Sequence, residues 1–297
     1  MIGNKQFEIY SRPVIFGEVL FDHFPDGSKH LGGAPFNVAW HLQGLGMRPL
    51  LVSRIGQDTE GEIVLTEMVR WGLDTQAVQI DPVLATGNVQ VSIVNDEPIF
   101  NISENQAWDN ISSALVIELI RNLPCSMLYF GSLSLRSAVS GNTLNRILQE
   151  VNLPAYVDIN LRKPWFNESV IQQCLQEASW LKLNEAEFLA VSEGVSEADV
   201  RVRHQLDSIY MTRGSKGATL VTEKLTLKVE AAGLQSQGNS VGAGDAFAAI
   251  CIYGMHHGWE QEQILRRANE FAARICEGTG ALPLAKEDYQ ASIKAWQ

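Results

Sequence analysis

The residues best suited to chemistry lie late in the chain, in Gly238-Asn239-Ser240-Val241-Gly242-Ala243-Gly244-Asp245-Ala246-Phe247. Phe247, Ile250, Cys251 and Gly254 follow at i, i+3, i+4 and i+7, which predicts a helix starting just after the glycine turn. Asp245 then sits at a helix N-terminus, where backbone N–H groups have no intrahelical partner. Gly242 and Gly244 carry no Cβ to keep an anion away from those groups. The product is a phosphate-sized anion site with a carboxylate beside it. Two readings of Asp245 are open on these residues alone. It is a helix cap favoured by the dipole, or it takes a proton from a hydroxyl that attacks a phosphoryl group, with Gly242, Ala243 and Gly244 stabilising the charge.

Further polar clusters precede it. Gly32 and Gly33, with Pro35 behind them, open a second helix that carries Asn37 in its first turn. Asn37 has the donor and acceptor capacity that a polyol needs, although a Gly-Gly pair also suits a plain tight turn. Asp22 closes an apolar run from Val14 and is either a ligand or a polar residue at a sheet edge. Trp108 is either core or a face for the C–H groups of a sugar. Asp158, Asn160 and Arg162 are spaced by two and share a face if the chain stays extended; the guanidinium fork suits phosphate or carboxylate. Asn184 and Glu187 fall on one helical face with Lys182 just before them, a set that either holds the waters of Mg²⁺ or merely starts a helix. Thr212, Gly214 and Gly217 lie in a glycine-punctuated turn between strands, where an ordinary hairpin is the alternative.

These clusters need a scaffold, and the periodicity supplies one. Strands are expected at 50–55, 126–130, 155–158, 180–183 and 208–212, and one more over Val14 to Asp22. Helices are expected at 35–45, 59–71, 111–121, 137–151, 170–178, 184–191 and 264–276, the last containing Asn269. The second of these is capped by Asp58 or Thr59 and closed by Gly72. The alternation predicts an α/β fold, a doubly wound and mostly parallel sheet whose ligands bind beyond the strand C-termini. Val89, Val91 and Ile93 alternate with polar residues before the Asn95-Asp96-Glu97-Pro98 turn, a hairpin signal. One domain over 1–297 is expected, with a small β-lid from about 25–33 and 85–103.

Composition narrows the classes. A formal net charge of −11 argues against nucleic acid or an anionic membrane as the main partner. No segment approaches about 20 consecutive apolar residues, and Met1 to Arg12 carry no apolar run, so a cytoplasmic protein is expected. Cys125, Cys174, Cys251 and Cys276 form no CxxC pair, and buried free thiols are expected. A Rossmann dehydrogenase is disfavoured, because Gly242-Ala243-Gly244 follows no early strand and no acidic residue stands in the required βαβ context.

The motifs, taken together, resemble the ribokinase-like sugar kinases of the phosphofructokinase-B type, and among them the fructokinases. The resemblance rests on Gly32-Gly33-Ala34-Pro35-Phe36-Asn37-Val38-Ala39 and on Asn239 to Phe247. It is strengthened by Gly17-Glu18-x-Leu20-x-Asp22, Asp158-x-Asn160-x-Arg162-x-x-Trp165 and Lys182-x-Asn184-x-x-Glu187. It implies ATP-dependent phosphorylation of a sugar hydroxyl, with Asp245 as base and Gly242, Ala243 and Gly244 as the anion hole. It implies sugar contacts from Asp22, Gly33 and Asn37, Arg162 near the sugar or phosphate, nucleotide contacts from Thr212, Gly214 and Asn269, and Mg²⁺ at Asn184 and Glu187; Gly32, Trp108 and Asn160 are further candidates for the sugar, and Lys182 and Gly217 for the nucleotide. Relatives often pair as homodimers through the lid. Where the family usually has Asp-Thr, this chain has Asn239-Ser240; the lost charge implies weak dependence on K⁺. D-Fructose is the leading substrate. Other acceptors are 2-keto-3-deoxygluconate, ribose or a nucleoside, and a non-catalytic sugar-binding regulator is the alternative of another class.

Overall fold

Strands and helices alternate through the middle of the chain, with runs of strands or helices on either side. The structure, a computed structural model, describes residues 7, 11–94, 97–232, 241–278 and 280–297. The first third contains β1 (Arg12–Phe16), β2 (Leu20–His23), β3 (Lys29–Gly32), α1 (Ala34–Gly44), β4 (Leu50–Gly56), α2 (Thr59–Trp71), β5 (Val78–Asp81), β6 (Gly87–Val94) and β7 (Glu97–Ile102). The middle contains α3 (Val116–Asn122), β8 (Cys125–Gly131), α4 (Ala138–Val151), β9 (Ala155–Asp158), α5 (Glu168–Glu177), β10 (Ala178–Asn184), α6 (Glu185–Val191) and α7 (Glu197–Arg203). The last part contains β11 (Ser208–Thr212), β12 (Ala218–Thr222), β13 (Thr226–Val229), α8 (Ala243–His256), α9 (Gln261–Cys276) and α10 (Lys286–Trp296).

Nine strands form one sheet in the order β13-β12-β11-β10-β9-β8-β1-β4-β5. It is parallel from β11 to β5 and antiparallel at β11–β12 and β12–β13. Helices cover both faces, so the strands are apolar on both sides. Ile15, Met127, Tyr129, Tyr156 and Tyr210 pack towards α1, α8 and α9. Their neighbours Val14, Phe16, Leu128, Phe130, Val157 and Met211 pack towards α3 to α7. Register holds this alternation, because a slip by one residue would exchange the two faces.

A four-stranded sheet of order β3-β2-β6-β7 stands apart from the large one. It is reached by a turn that the apolar run conceals. The run from Val14 to Asp22 reads as one strand, but it is two strands in different sheets. Gly17 makes the break. Its φ is +146°, and a Cβ there would stand 2.6 Å from Pro35 Cγ and 2.7 Å from Ser134 Oγ. Asp22 is thereby carried out of the large sheet into the small one, on the inner strand β2.

Local chemistry explains several boundaries. Asp58 caps α2 by accepting from Gly61 N–H, and Gly72 ends it in the left-handed region. The helix expected over 111–121 starts only at Val116. Ile111 N–H is held by Ser140 Oγ at 3.0 Å and Ser112 N–H by Gln79 Oε1 at 2.8 Å, so other elements have claimed that backbone. The pattern reading passes over α7, β13 and α10, although Ser196 and Asp199 form a capping box that announces α7. Cys174 and Cys251 are buried free thiols, whereas Cys125 and Cys276 are partly exposed. Among the described residues, no helix is long and apolar enough to cross a membrane.

Candidate active site

Gly242 opens α8 in the left-handed region at φ 80°, where a Cβ would stand 2.6 Å from Ala281 Cα. The first intrahelical bond runs from Ala246 N–H to Gly242 O at 2.9 Å. The N–H groups of Ala243, Gly244 and Asp245 precede it and have no partner within the helix. Behind them α8 is buried from Ala246 to Gly254, which anchors this N-terminus to the core. Replacing Gly242 by Ala is expected to lose most nucleotide-dependent turnover while the protein still folds, because the strain falls on the helix start; a pair of steady-state and melting measurements checks it.

Asp245 is partly exposed, and Asn37 Nδ2 donates to its Oδ2 at 2.8 Å across a sequence separation of 208. Burial pushes its carboxyl up to about 6. The Asn37 hydrogen bond opposes the rise, Asp158 adds to it, and Lys182 and Arg162 oppose it. The group is therefore a carboxylate above about pH 6, able to accept a proton near neutrality.

The residues expected to contact a sugar near Asp245 come from α1 and the small sheet. Gly33 has φ +105°, and a Cβ on it would stand 2.7 Å from the Glu18 carbonyl oxygen. A Cβ on Gly32 would lie 3.7 Å from Asn37 Oδ1 and 3.8 Å from Asp22 Oδ2, so this bare turn lies between those two side chains. Burial lifts Asp22 to about 6, against the pull of His30, Arg162 and His23. Arg162 is exposed and acts electrostatically on Glu18, Asp22 and Asp245 alike.

The expected common face of Asp158, Asn160 and Arg162 does not form. β9 stops at Asp158, and Asn160 takes φ +38°, which breaks the two-residue alternation. Asp158 is buried instead, accepting from Lys182 Nζ at 2.9 and 2.8 Å. Lys182, expected along the nucleotide, has its charge committed to that pair, though Nζ would lie 3.3 Å from a Cβ placed on Gly244. Trp108, offered as a sugar face, is 1% exposed and covered by the guanidinium of Arg136 at 3.9 Å from its ring centroid. The ring belongs to the cluster of Leu20, Val89, Ile102 and Leu133 under the small sheet.

Asn184 and Glu187 form a capping box. Asn184 Oδ1 accepts from Glu187 N–H at 2.9 Å, and Glu187 Oε2 accepts from Asn184 N–H at 2.8 Å. Glu187 Oε1 takes Leu161 N–H at 3.0 Å. Burial raises the Glu187 carboxyl, and Asp158 adds to the rise. Each of its oxygens keeps one lone pair, so the pair fits a hydrated cation held through its waters better than direct ligation. Among the described residues, no three His, Cys, Asp or Glu side chains are grouped to ligate a metal directly. Thr212 ends β11 in register with Asn184. Gly214 and Gly217 have positive φ in the hairpin to β12, and a Cβ on Gly217 would collide with Val229 O. Asn269 Nδ2 donates to Glu230 O at 2.9 Å and ties α9 to the chain after β13. Gly238, Asn239 and Ser240 lie outside the described residues.

The sequence profile of the pfkB family carbohydrate kinases matches residues 2–287. An uncharacterized sugar kinase from Pyrococcus horikoshii, solved in complex with ATP, superposes with a TM-score of 0.82 at 25% identity, covering 93% of this chain and 96% of that one. Fructokinase-2 of Oryza sativa subsp. japonica is 25% identical over 305 residues, covering 91% of this chain and 89% of its own. A fructokinase from Vibrio cholerae O395, solved with fructose, ADP and calcium ion, has a TM-score of 0.81 at 23% identity, over 96% of this chain and 99% of that one. The fold is ribokinase-like over nearly the whole chain, and with the profile matched over residues 2–287 this chain belongs to the pfkB family of carbohydrate kinases.

Proposed function

We propose that the protein transfers the γ-phosphoryl group of ATP to a hydroxyl of a neutral sugar, with D-fructose as the preferred acceptor and fructose 6-phosphate as product. The observation that carries this reading is the Asp245 carboxylate, lifted to about 6, beside the bare α8 N-terminus and held by Asn37. Asp245 takes the proton of the acceptor hydroxyl. The hydroxyl oxygen bonds to the γ-phosphorus as the bond to the β-phosphate oxygen breaks, releasing ADP. The N–H groups of Ala243, Gly244 and Asp245 meet the charge on the transferring group, and positioning supplies most of the rest. Mg²⁺, when bound, supplies neutralisation of phosphate charge; Glu187 and Asn184 would hold it through water.

The acceptor end favours a neutral polyol. Asp22 and Asp245 both lie there under the electrostatic influence of Arg162. Lys29, the cation at the start of β3, is ion-paired to Glu60 at 2.5 Å. A carboxylated acceptor such as 2-keto-3-deoxygluconate would meet like charge. The rice and Vibrio relatives named as fructokinases support the choice of fructose. A coupled ADP-release assay over a sugar panel tests it. Fructose is expected to give the highest kcat/KM; a higher value for the acidic sugar or a nucleoside overturns the specificity.

With Asp22 and Asp245 both lifted to about 6, kcat/KM is expected to fall as pH drops through that value, since protonation removes the base and a hydroxyl acceptor together. A flat profile between pH 5 and 7 would contradict these roles. Weak K⁺ dependence is proposed from Asn239, and a many-fold rise on exchanging choline for K⁺ would refute it. Pairing of two copies along edge strand β7, where Ile99 and Phe100 are exposed, is proposed on the same footing; light scattering of the protein in solution decides it.

A further inference from the structure

Glu18 has no part in the reading above, yet it stands behind the most exacting contact of the site. It lies between β1 and β2 and is 3% exposed. Oε1 accepts from Ala34 N–H at 3.2 Å, at the first residue of α1. Its backbone carbonyl lies directly against Gly33, where only the missing Cβ allows the approach. Asn37 N–H then bonds Gly33 O at 2.8 Å, and the Asn37 amide reaches Asp245. One buried side chain therefore sets the turn from which the Asp245 contact is built. Its second oxygen, Oε2, is buried with no hydrogen-bond partner.

We propose that Glu18 is a positioning residue for phosphoryl transfer: as a neutral carboxylic acid it clamps the Gly33–Ala34 turn so that Asn37 holds Asp245 in place. An ionised, unpartnered oxygen would be costly at this depth, whereas a neutral acid costs less. The groups facing it explain why. Ala34 N–H comes from α1, Asp245 from α8, Arg162 from the loop after β9, and the Tyr129 hydroxyl from β8. Of these the Ala34 N–H and Arg162 favour a second negative charge, and Asp245 opposes it. Burial first, then Asp245, pushes Glu18 up to about 7, above the value of about 6 for Asp245. The geometry points the same way: Glu18 Oε2 has no hydrogen-bond donor, whereas Asp245 Oδ2 accepts from Asn37. As pH rises through about 7, Glu18 ionises and places negative charge beside the transferring phosphate, so activity falls on the alkaline side.

The inference rests on Asp245 as proton acceptor, and the experiment separates the two. The pH dependence of kcat and kcat/KM is measured for the parent, E18Q, E18D and D245N, with fructose and ATP. E18Q keeps length and hydrogen-bond acceptor without charge; it is expected to keep the acid limb and to lose the alkaline one. E18D keeps the charge but is one methylene short; kcat is expected to fall on the order of 10²-fold with the KM for ATP unchanged. An alkaline limb persisting in E18Q overturns the charge assignment, and parental turnover in E18D overturns the positioning role. Should E18Q not fold, difference infrared spectra of the parent and E18D serve instead: a protonated-carboxyl band must vanish as activity falls, and its absence overturns the proposal. An active D245N removes the reading beneath it, whereas an inactive D245N with an unchanged limb in E18Q removes this inference alone.

Discussion

Asp245→Asn is expected to lower kcat by about 10²–10⁴-fold while the KM values for ATP and sugar stay within a few-fold of the parent. The substitution preserves shape. Asn37 Nδ2 now donates to Oδ2, and the amide oxygen of the variant can accept the same bond. The glycine-rich helix start is untouched, so anion binding should survive. What disappears is the proton acceptor, and a loss confined to kcat is the signature of an interaction made in the transition state. A variant with near-parental turnover would remove Asp245 from the chemistry. A second readout guards against a trivial loss of structure. The Asp245 carboxyl is raised from its ordinary 3.8 to about 6, so its contribution to stability is fully present below 3.8 and is lost as pH rises through about 6. The Asn variant should therefore melt no lower than the parent at pH 8. Its advantage should vanish near pH 4.

Lys182→Met is expected to cost about 3–5 kcal/mol of stability, because it leaves the Asp158 carboxylate buried and unpaired. The side chains of the pair are 7% and 2% exposed and 2.8 Å apart. For a chain of this size the loss reads as a fall in melting temperature of roughly 10 °C. Neutralising the orphaned partner as well should restore much of it, so D158N/K182M is expected to melt above K182M alone. A double variant no more stable than the single would show that the lysine acts through packing rather than charge. The lysine also reaches the chemistry. It opposes the rise at Asp245, so in K182M the acid limb of kcat should move to higher pH.

Much of the architecture was legible in the residues. Asp58 and Gly72 bracket α2 as capping chemistry demands, and the repeated strand–helix alternation required a parallel sheet covered on both faces. The hairpin of β6 and β7 followed from alternating apolar residues around a turn. The misreadings share one cause. Apolarity does not say which sheet a strand joins, so the run from Val14 to Asp22 looked continuous until Gly17 was seen pressed against Pro35 and Ser134. A two-residue spacing likewise promised a shared face that Asn160, with φ +38°, does not allow.

The glycine turn into the apolar helix α8, with Asp245 in its first turn, was determined by sequence alone, because it is a local arrangement that needs nothing distant. The charge state and partners of that carboxylate were decided only in the tertiary structure. Asn37 stands 208 residues from Asp245, and Lys182 pairs with Asp158 across two strands. Desolvation, the largest influence on Asp245, is a property of everything packed around it and of no single neighbour in the chain.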